Sequence, residues 1–393
     1  MVERIRARWI ALWLSLALAA CGGGGGGGTP ASPPAVPATY ATWTAPPQNL
    51  NEVFPGAQPP APLTLTDVTL RHVAHLSQGG TRVKVKFSNL FGAGPVTFDT
   101  VWIAKSTGSP AADAPTLRAL TFSGSPTLTL AAGAEAWSDE AELALARGAD
   151  VHVSYHIAGP TQTATGHVAL TQAVLWLSAI AAVGDPRPNV VVAFGDSITD
   201  GTGSTPGANR SYPDQLSARL AGEAAPPIAV VNAGIGGNRW LHDVRGPSGA
   251  SRFARDVLDV PGVTHAIILL GINDLEVARI VPSQPLALDQ LISGTQTAVT
   301  QAHARGVKVL LGTLLPYKGA ALFDTADELV REGYNAWVRS QAVADGIVDF
   351  DAALRDPADP LALAPQYASP DHLHPNDAGY AAMAAAVDAS RLR

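Results

Sequence analysis

The stretch Val190-Val191-Val192-Ala193-Phe194-Gly195-Asp196-Ser197-Ile198-Thr199 decides the fold. Its first half is a near-continuous apolar run, the pattern of a strand covered on both faces. Its second half is a small polar turn that carries a serine. Four further runs of this kind lie at 228–232, 265–270, 308–314 and 347–350. Helical segments separate them. Ser211-Tyr212-Pro213-Asp214 has the form of a capping box, and Leu216 and Leu220 behind it fall on one helical face. Further helices are expected over 286–305, closed by Gly306, over 325–344, and over 377–389 behind an Asn376 cap. Strand and helix in alternation predict an α/β class with a parallel sheet in a three-layer α/β/α arrangement, whose ligands bind beyond the carboxyl ends of the strands.

Upstream the rhythm is different. Leu63-Thr64-Leu65-Thr66 alternates with period two, Asp67 shifts the phase by one residue as a bulge would, and Val68-Thr69-Leu70 resumes it. Thr81 to Phe87, Thr127 to Leu130 and Val151 to Tyr155 alternate as well. Short alternating strands with turns between them predict an all-β sandwich over 40–184. The turn-forming Gly184-Asp185-Pro186-Arg187-Pro188 marks the boundary, with the α/β domain over 185–393.

The N-terminus reads as an address. Arg4, Arg6 and Arg8 precede an apolar run over 9–20 that is too short to span a bilayer but suits the core of a signal peptide over 1–20. Leu18-Ala19-Ala20-Cys21 resembles the lipobox of bacterial lipoproteins, which implies that Cys21, the single cysteine, is lipidated. Gly22 to Gly28 and a Pro/Ala-rich stretch then form a tether over 21–39. The expectation is export and membrane attachment through the lipid alone, with Gly22 implying the outer membrane. A net charge of −7 with no basic run argues against a nucleic-acid partner. At 393 residues, 47% hydrophobic and 15% charged, the chain has ample material for a core.

Chemistry concentrates in four places. Ser197 needs a base, and Asp371-His372-Leu373-His374 offers one, His374, with an acid three residues before it to hold the ring. Acyl transfer also needs donors for the developing oxyanion. Asn232-Ala233-Gly234-Ile235-Gly236-Gly237-Asn238 brings glycines whose backbone N–H groups can approach a substrate, and Gly271-Ile272-Asn273-Asp274 brings a side-chain amide. Each block alone also reads as an ordinary turn. His372 and His374 with Asp371 would make a metal pair only if other ligands joined them, and no further cluster supplies these. The Gly-x-Ser-x-Gly elbow of α/β-hydrolases is missing around Ser197, and Ser248 fails it too. Arg239 and Trp240 are candidates to line the acyl or alcohol site, the Trp being as well explained by packing. Asp274 reads as a hydrogen-bonded support. His72, His75, His152, His156 and His167 scatter through the β-region and are expected at the surface or in hydrogen bonds.

Taken in order, the four blocks over 188–393 resemble the SGNH, or GDSL-type, hydrolase superfamily. That resemblance implies a flavodoxin-like α/β/α domain, a catalytic Ser197, Asp371 and His374, and an oxyanion hole from Ser197, Gly237 and Asn273, with Gly236 the rival glycine. Here the first block reads Gly-Asp-Ser-Ile where the family name has Gly-Asp-Ser-Leu. Leu70-Arg71-His72 and Phe87-Ser88-Asn89-Leu90-Phe91-Gly92 are similar to the N-terminal region of exported bacterial esterases of the superfamily, some of which accompany xylan degradation. The expected activity is hydrolysis of carboxylic esters with short acyl groups, acetyl groups on polysaccharide among them, through an acyl-enzyme and without cofactor or metal. A lysophospholipase or arylesterase of the same fold, and a surface-anchored carbohydrate-binding protein with an inactive hydrolase domain, are the alternatives.

Overall fold

The structure, a computed structural model, describes residues 37–53, 58, 61–108, 111–168, 173–222, 226–281 and 283–393. The expected signal peptide over 1–20, Cys21 and most of the expected tether over 21–39 lie outside these residues.

The β-region is built on β1 (Ala38–Thr44), β2 (Val68–His75), β3 (Gly80–Ser88), β4 (Thr100–Lys105), β5 (Arg118–Ala119), β6 (Glu135–Trp137), β7 (Ala141–Leu145), β8 (Asp150–Ile157), β9 (Thr165–Val168) and β10 (Leu177–Gly184). One antiparallel sheet runs β1-β10-β3-β6 with β7 also on β3, and the second runs β2-β8-β4-β5. Alternation explains what each strand buries. On β3, Val83, Val85 and Phe87 face the core, while Arg82 and Lys86 point outward to Glu140 and Glu135 at 2.5 and 2.8 Å. On β8, Val151, Val153, Tyr155 and Ile157 face the same core. Each such apolar side chain contributes roughly 1.5–3 kcal/mol of burial. Phe87, Phe98 and Tyr155 meet with ring centroids 4.9 to 5.3 Å apart. The phase shift at Asp67 differs from expectation. Asp67 has φ 48°, and it separates Thr64–Leu65, paired with Thr161–Gln162, from β2, paired with β8. It is a turn between two strands and not a bulge within one.

The α/β region carries β11 (Asn189–Gly195), β12 (Ile228–Gly234), β13 (Val263–Leu269), β14 (Lys308–Gly312) and β15 (Gly346–Val348), all parallel in the order β12-β11-β13-β14-β15. This is the doubly wound order whose switch point lies between the first and third of its strands. The helices are α1 (Ser197–Asp200), α2 (Tyr212–Arg219), α3 (Gly249–Phe253), α4 (Ile272–Ile280), α5 (Leu288–Ala304), α6 (Thr325–Ser340), α7 (Phe350–Leu354) and α8 (Asp377–Ala386). Ser211 caps α2 by accepting from the Asp214 N–H, and Asn376 caps α8 by accepting from Ala378 and Gly379. Two helices stop earlier than their sequence pattern. After α6, the Gln341 side chain accepts from the N–H groups of Val343 and Ala344 and turns the chain away. After α8, Val387 is extended and Asp388 caps a separate short turn.

Residues 36–393 form one compact unit. Tyr40 and Ala41 of β1 and Ala182 of β10 belong to the same buried cluster as β11 to β14. Thr44 Oγ1 donates to the Asn232 carbonyl at 2.5 Å, and Ala41 N–H donates to the Pro261 carbonyl at 2.8 Å. The β-region therefore packs against the parallel sheet along its edge strand β12 and at Pro261 ahead of β13, and the carboxyl ends of the strands carry the loops that hold the candidate site.

Candidate active site

β11 ends at Gly195, where the chain turns too tightly for a side chain. A Cβ there would lie 2.1 Å from Thr199 Oγ1 and 2.3 Å from the Leu269 carbonyl. Asp196 then caps α1, its Oδ1 accepting from Ile198 N–H at 3.0 Å, and Ser197 becomes the first residue of a single helical turn. The turn delivers the serine hydroxyl to the sheet edge.

From the far end of the chain, Asp371 and His374 reach the same point. His374 Nε2 lies 2.8 Å from Ser197 Oγ, and His374 Nδ1 lies 2.6 Å from Asp371 Oδ2. The other carboxylate oxygen accepts from the N–H groups of Leu373 and His374, both at 3.0 Å, so one backbone turn aims the acid at the ring. Burial pushes the Asp371 pKa up, but these hydrogen bonds outweigh it and hold the carboxyl below its ordinary value. An ionised carboxylate only accepts, so Nδ1 carries the ring proton and Nε2 is left to accept from the serine. His372, at φ 58°, is exposed on the outside of the turn and packs beside Gly319. Among the described residues no three His, Cys, Asp or Glu side chains converge as a metal cage.

The donor loops flank the serine. Gly237 has φ 75°, a conformation that favours glycine, and its N–H has no acceptor among the described residues. The same is true of Ser197 N–H. Asn273 is the second residue of α4; its amide gives one hydrogen to the Asn238 carbonyl at 3.0 Å, which ties the two donor loops together and leaves its second hydrogen unused. Asp274 faces away, accepting from the N–H groups of Trp240 and Leu241 at 2.6 and 3.1 Å, and burial raises its pKa to about 6.

Arg239 and Trp240 do not line an open surface, contrary to the expectation for them. Trp240 is 0% exposed, edge-on to Phe194 at 5.9 Å and seated over Gly249 and Gly294. Arg239 is buried and donates to the Gln284 side chain at 2.7 Å and to the Asp243 carbonyl. Both shape the glycine loop from within.

Two residues emerge that sequence reasoning passed over. Arg252, fully buried on α3, donates to the carbonyls of Gly195 and Ala233 at 2.7 and 2.9 Å and to the Asn238 amide oxygen at 2.9 Å, with Asp256 as its counter-ion at 3.1 Å. It fastens the ends of β11 and β12 to the glycine loop. Its one sequence signal is the Arg252/Asp256 spacing of a helical ion pair. Glu276, one turn after Asn273 on α4, is 6% exposed; burial, reinforced by the Asp371 charge, raises its pKa to about 7. Nothing in the sequence marked it. Asp196 is likewise raised to about 7 by burial.

A serine whose proton has an imidazole acceptor, with unspent donors on either side, defines a hydrolase. Residues 193–382 match the model of the GDSL-like Lipase/Acylhydrolase family. Solved structures of similar fold include a protein assigned to the G-D-S-L lipolytic family from Desulfitobacterium hafniense DCB-2, 25% identical, covering 52% of this chain and 99% of that one with a TM-score of 0.40. A GDSL-like lipase from Bacteroides thetaiotaomicron is 23% identical, covering 52% and 87% with a TM-score of 0.39. A variant of an acetyl xylan esterase from Geobacillus stearothermophilus is 23% identical, covering 50% and 92% with a TM-score of 0.39. No curated protein matches the chain.

Proposed function

We propose that the protein is a serine esterase that hydrolyses carboxylic esters of short acyl groups, acetyl groups on polysaccharide among them, through an acyl-enzyme. The observation that carries the reading is the unbroken relay from Asp371 through His374 to Ser197, at 2.6 and 2.8 Å. In the first half-reaction His374 Nε2 takes the serine proton as Oγ attacks the ester carbonyl. Asp371 holds the tautomer and faces the imidazolium that forms. Charge on the carbonyl oxygen is met by Ser197 N–H, Gly237 N–H and the unused Asn273 hydrogen, each worth about 10²–10³ in rate. The imidazolium then protonates the leaving alcohol. In the second half-reaction His374 deprotonates water, which attacks the acyl carbon and returns the serine.

Hydrolysis of p-nitrophenyl acetate by the wild type and by Ser197→Ala tests the reading. The expected loss of kcat is on the order of 10⁶; equal rates in the two proteins remove the enzyme claim. Aryl esters of increasing chain length beside acetylated xylan then rank the acyl and alcohol parts. We also propose that the chain is an exported lipoprotein of the outer membrane, attached through Cys21. Its Cys21→Ser variant is expected in the soluble fraction with unchanged specific activity, and continued membrane attachment of that variant refutes the anchor.

A further inference from the structure

His167 stands on β9, which pairs with residues 48–49 and 173–175 in a small sheet of the β-region, yet its side chain ends on the helix that presents the nucleophile. Nε2 lies 3.0 Å from Asp200 Oδ1, and Nδ1 lies 3.1 Å from the Pro46 carbonyl. The pair is buried, with side-chain exposures of 8% and 7%. We propose that His167 is a positioning residue for the nucleophile: as an imidazolium paired with Asp200 it fixes the turn that carries Ser197, so hydrolysis depends on a proton held outside the Asp371–His374–Ser197 relay. The inference rests on the esterase reading and adds a role for the β-sandwich.

Three observations carry it. First, both ring nitrogens face acceptors. A carbonyl oxygen can only accept, a carboxylate likewise, and a neutral imidazole has a single N–H. Only the doubly protonated ring satisfies both. Second, α1 is four residues long, and a lone helical turn fixes more dihedral angles than its hydrogen bonds repay. It depends on outside ties. Asn232 Nδ2 donates to the Thr199 carbonyl at 2.8 Å, and Gly234 packs so close that a Cβ would lie 2.3 Å from Asp200 N. Those ties come from β12 within the α/β region and act on backbone. The His167 bond comes from the β-region and, unlike those two, grips a side chain, at the residue that ends the turn. Third, the pair lies in the wall of a cavity of about 500 Å³ that runs along the seam and excludes Ser197 and His374. Protons can reach His167 without passing through the catalytic centre.

The charges around the ring set the sign. Burial opposes the imidazolium, and Arg252 of α3, itself paired with Asp256, opposes it as well. The Asp200 carboxylate and the hydrogen bonds to Asp200 and Pro46 outweigh both, so the pKa lies above that of an ordinary histidine. Across the cavity stand Asp214 of α2, the His75–Asp150 pair of β2 and β8, and Arg210 on the loop before α2. As pH rises through the folded pKa of His167, the ring loses one of its two donors and its attraction for Asp200, and the turn is released. His167 therefore gives the kcat profile an alkaline limb.

The test uses the full chain and p-nitrophenyl acetate. Wild type is expected to show an alkaline limb in kcat. His167→Gln is expected to lose about tenfold or more in kcat with little change in KM, and to lose that limb, because small misplacements of a reacting group are costly. The double variant His167→Gln/Asp200→Asn, which replaces the ion pair by two neutral amides, is expected to recover most of kcat while still lacking the limb. A folded His167→Gln, or a folded double variant where the single one fails to fold, that keeps the alkaline limb overturns the proposal. A readout independent of turnover separates this failure from failure of the esterase reading: ¹⁵N NMR of the His167 ring in Ser197→Ala at neutral pH. Two protonated nitrogens are expected, and a neutral ring overturns the proposal whatever the substrate.

Discussion

The carboxyl edge of the sheet and the seam against the sandwich both converge on α1, and they differ in how their residues find one another. At the edge, partners are close in sequence or follow directly from strands. Asp371 and His374 share one turn, and Ser197 follows the last residue of β11 by two positions. At the seam, partners come from the two sides of the domain boundary. Thr44 meets Asn232, Arg255 reaches the Pro47 carbonyl, and His167 meets Asp200. Local spacing can specify chemistry at the edge, whereas the seam exists only after both regions have folded and packed. The edge is thus built to react and the seam to hold, and substitutions in each are expected to separate rate from stability.

The largest effect belongs to the edge. Asn273→Ala removes a donor from the developing oxyanion, and kcat is expected to fall by about 10²–10³ with KM nearly unchanged. A loss of less than about threefold, against that range, would place the amide outside the oxyanion hole and blur the contrast between the two regions.

A second effect at the edge is on stability and depends on pH. The Glu276 carboxyl is raised from 4.5 to about 7, burial being the main cause. Between those values the folded chain holds a proton that the unfolded chain has released, so stability falls as pH rises across the window. For this one group the fall amounts to roughly 3 kcal/mol at most. Asp196 and Asp274, raised to about 7 and about 6, add to the same slope. Glu276→Gln cannot ionise and is expected to gain on the wild type by roughly 2–3 kcal/mol between pH 4.5 and 7.5, read from urea unfolding at each pH. A constant gap between the two proteins across that range would mean that Glu276 titrates as an ordinary surface acid.

The same contrast explains what the sequence disclosed. The parallel sheet was legible because strands covered on both faces are apolar along their whole length; three of the site loops were legible because each follows such a strand, and the fourth, with Asp371 and His374, by its acid three residues before its histidine. The helix ends over-ran where Gln341 and Val387 stop the helix through contacts that periodicity does not register. Trp240 is a candidate for the acyl or alcohol site because it neighbours the glycine loop, with packing an equal reading of it, and packing is what the structure shows. Its burial depends on Gly249 and Gly294 leaving room for the ring, where a Cβ would stand 2.2 and 2.6 Å from it, and neither glycine is near it by any pattern. Arg252 was invisible for a related reason: the Gly195 carbonyl, the Ala233 carbonyl and the Asn238 amide it joins become neighbours only at the sheet edge. His167 read as one of five scattered histidines, because nothing in its own segment announces Asp200.

The smallest effect tests the seam as a holding device. Thr44 Oγ1 donates to the Asn232 carbonyl at 2.5 Å, on the strand whose Asn232 side chain also supports α1 through Thr199. Asn232 is paired with Ala193 in the parallel sheet, so its carbonyl retains a partner region when the threonine hydroxyl is removed. Thr44→Val keeps the volume and deletes only this bond, and the expected loss is about 1 kcal/mol of unfolding free energy. Because the bond ends on strand backbone and not on the nucleophile turn, kcat and its pH profile are expected to stay at wild-type values. A Thr44→Val protein with the lowered kcat and missing alkaline limb expected of His167→Gln would show that any loosening of the seam disturbs Ser197. In that case the sandwich would act on the site as a whole body, and the special place of the His167–Asp200 pair would be lost.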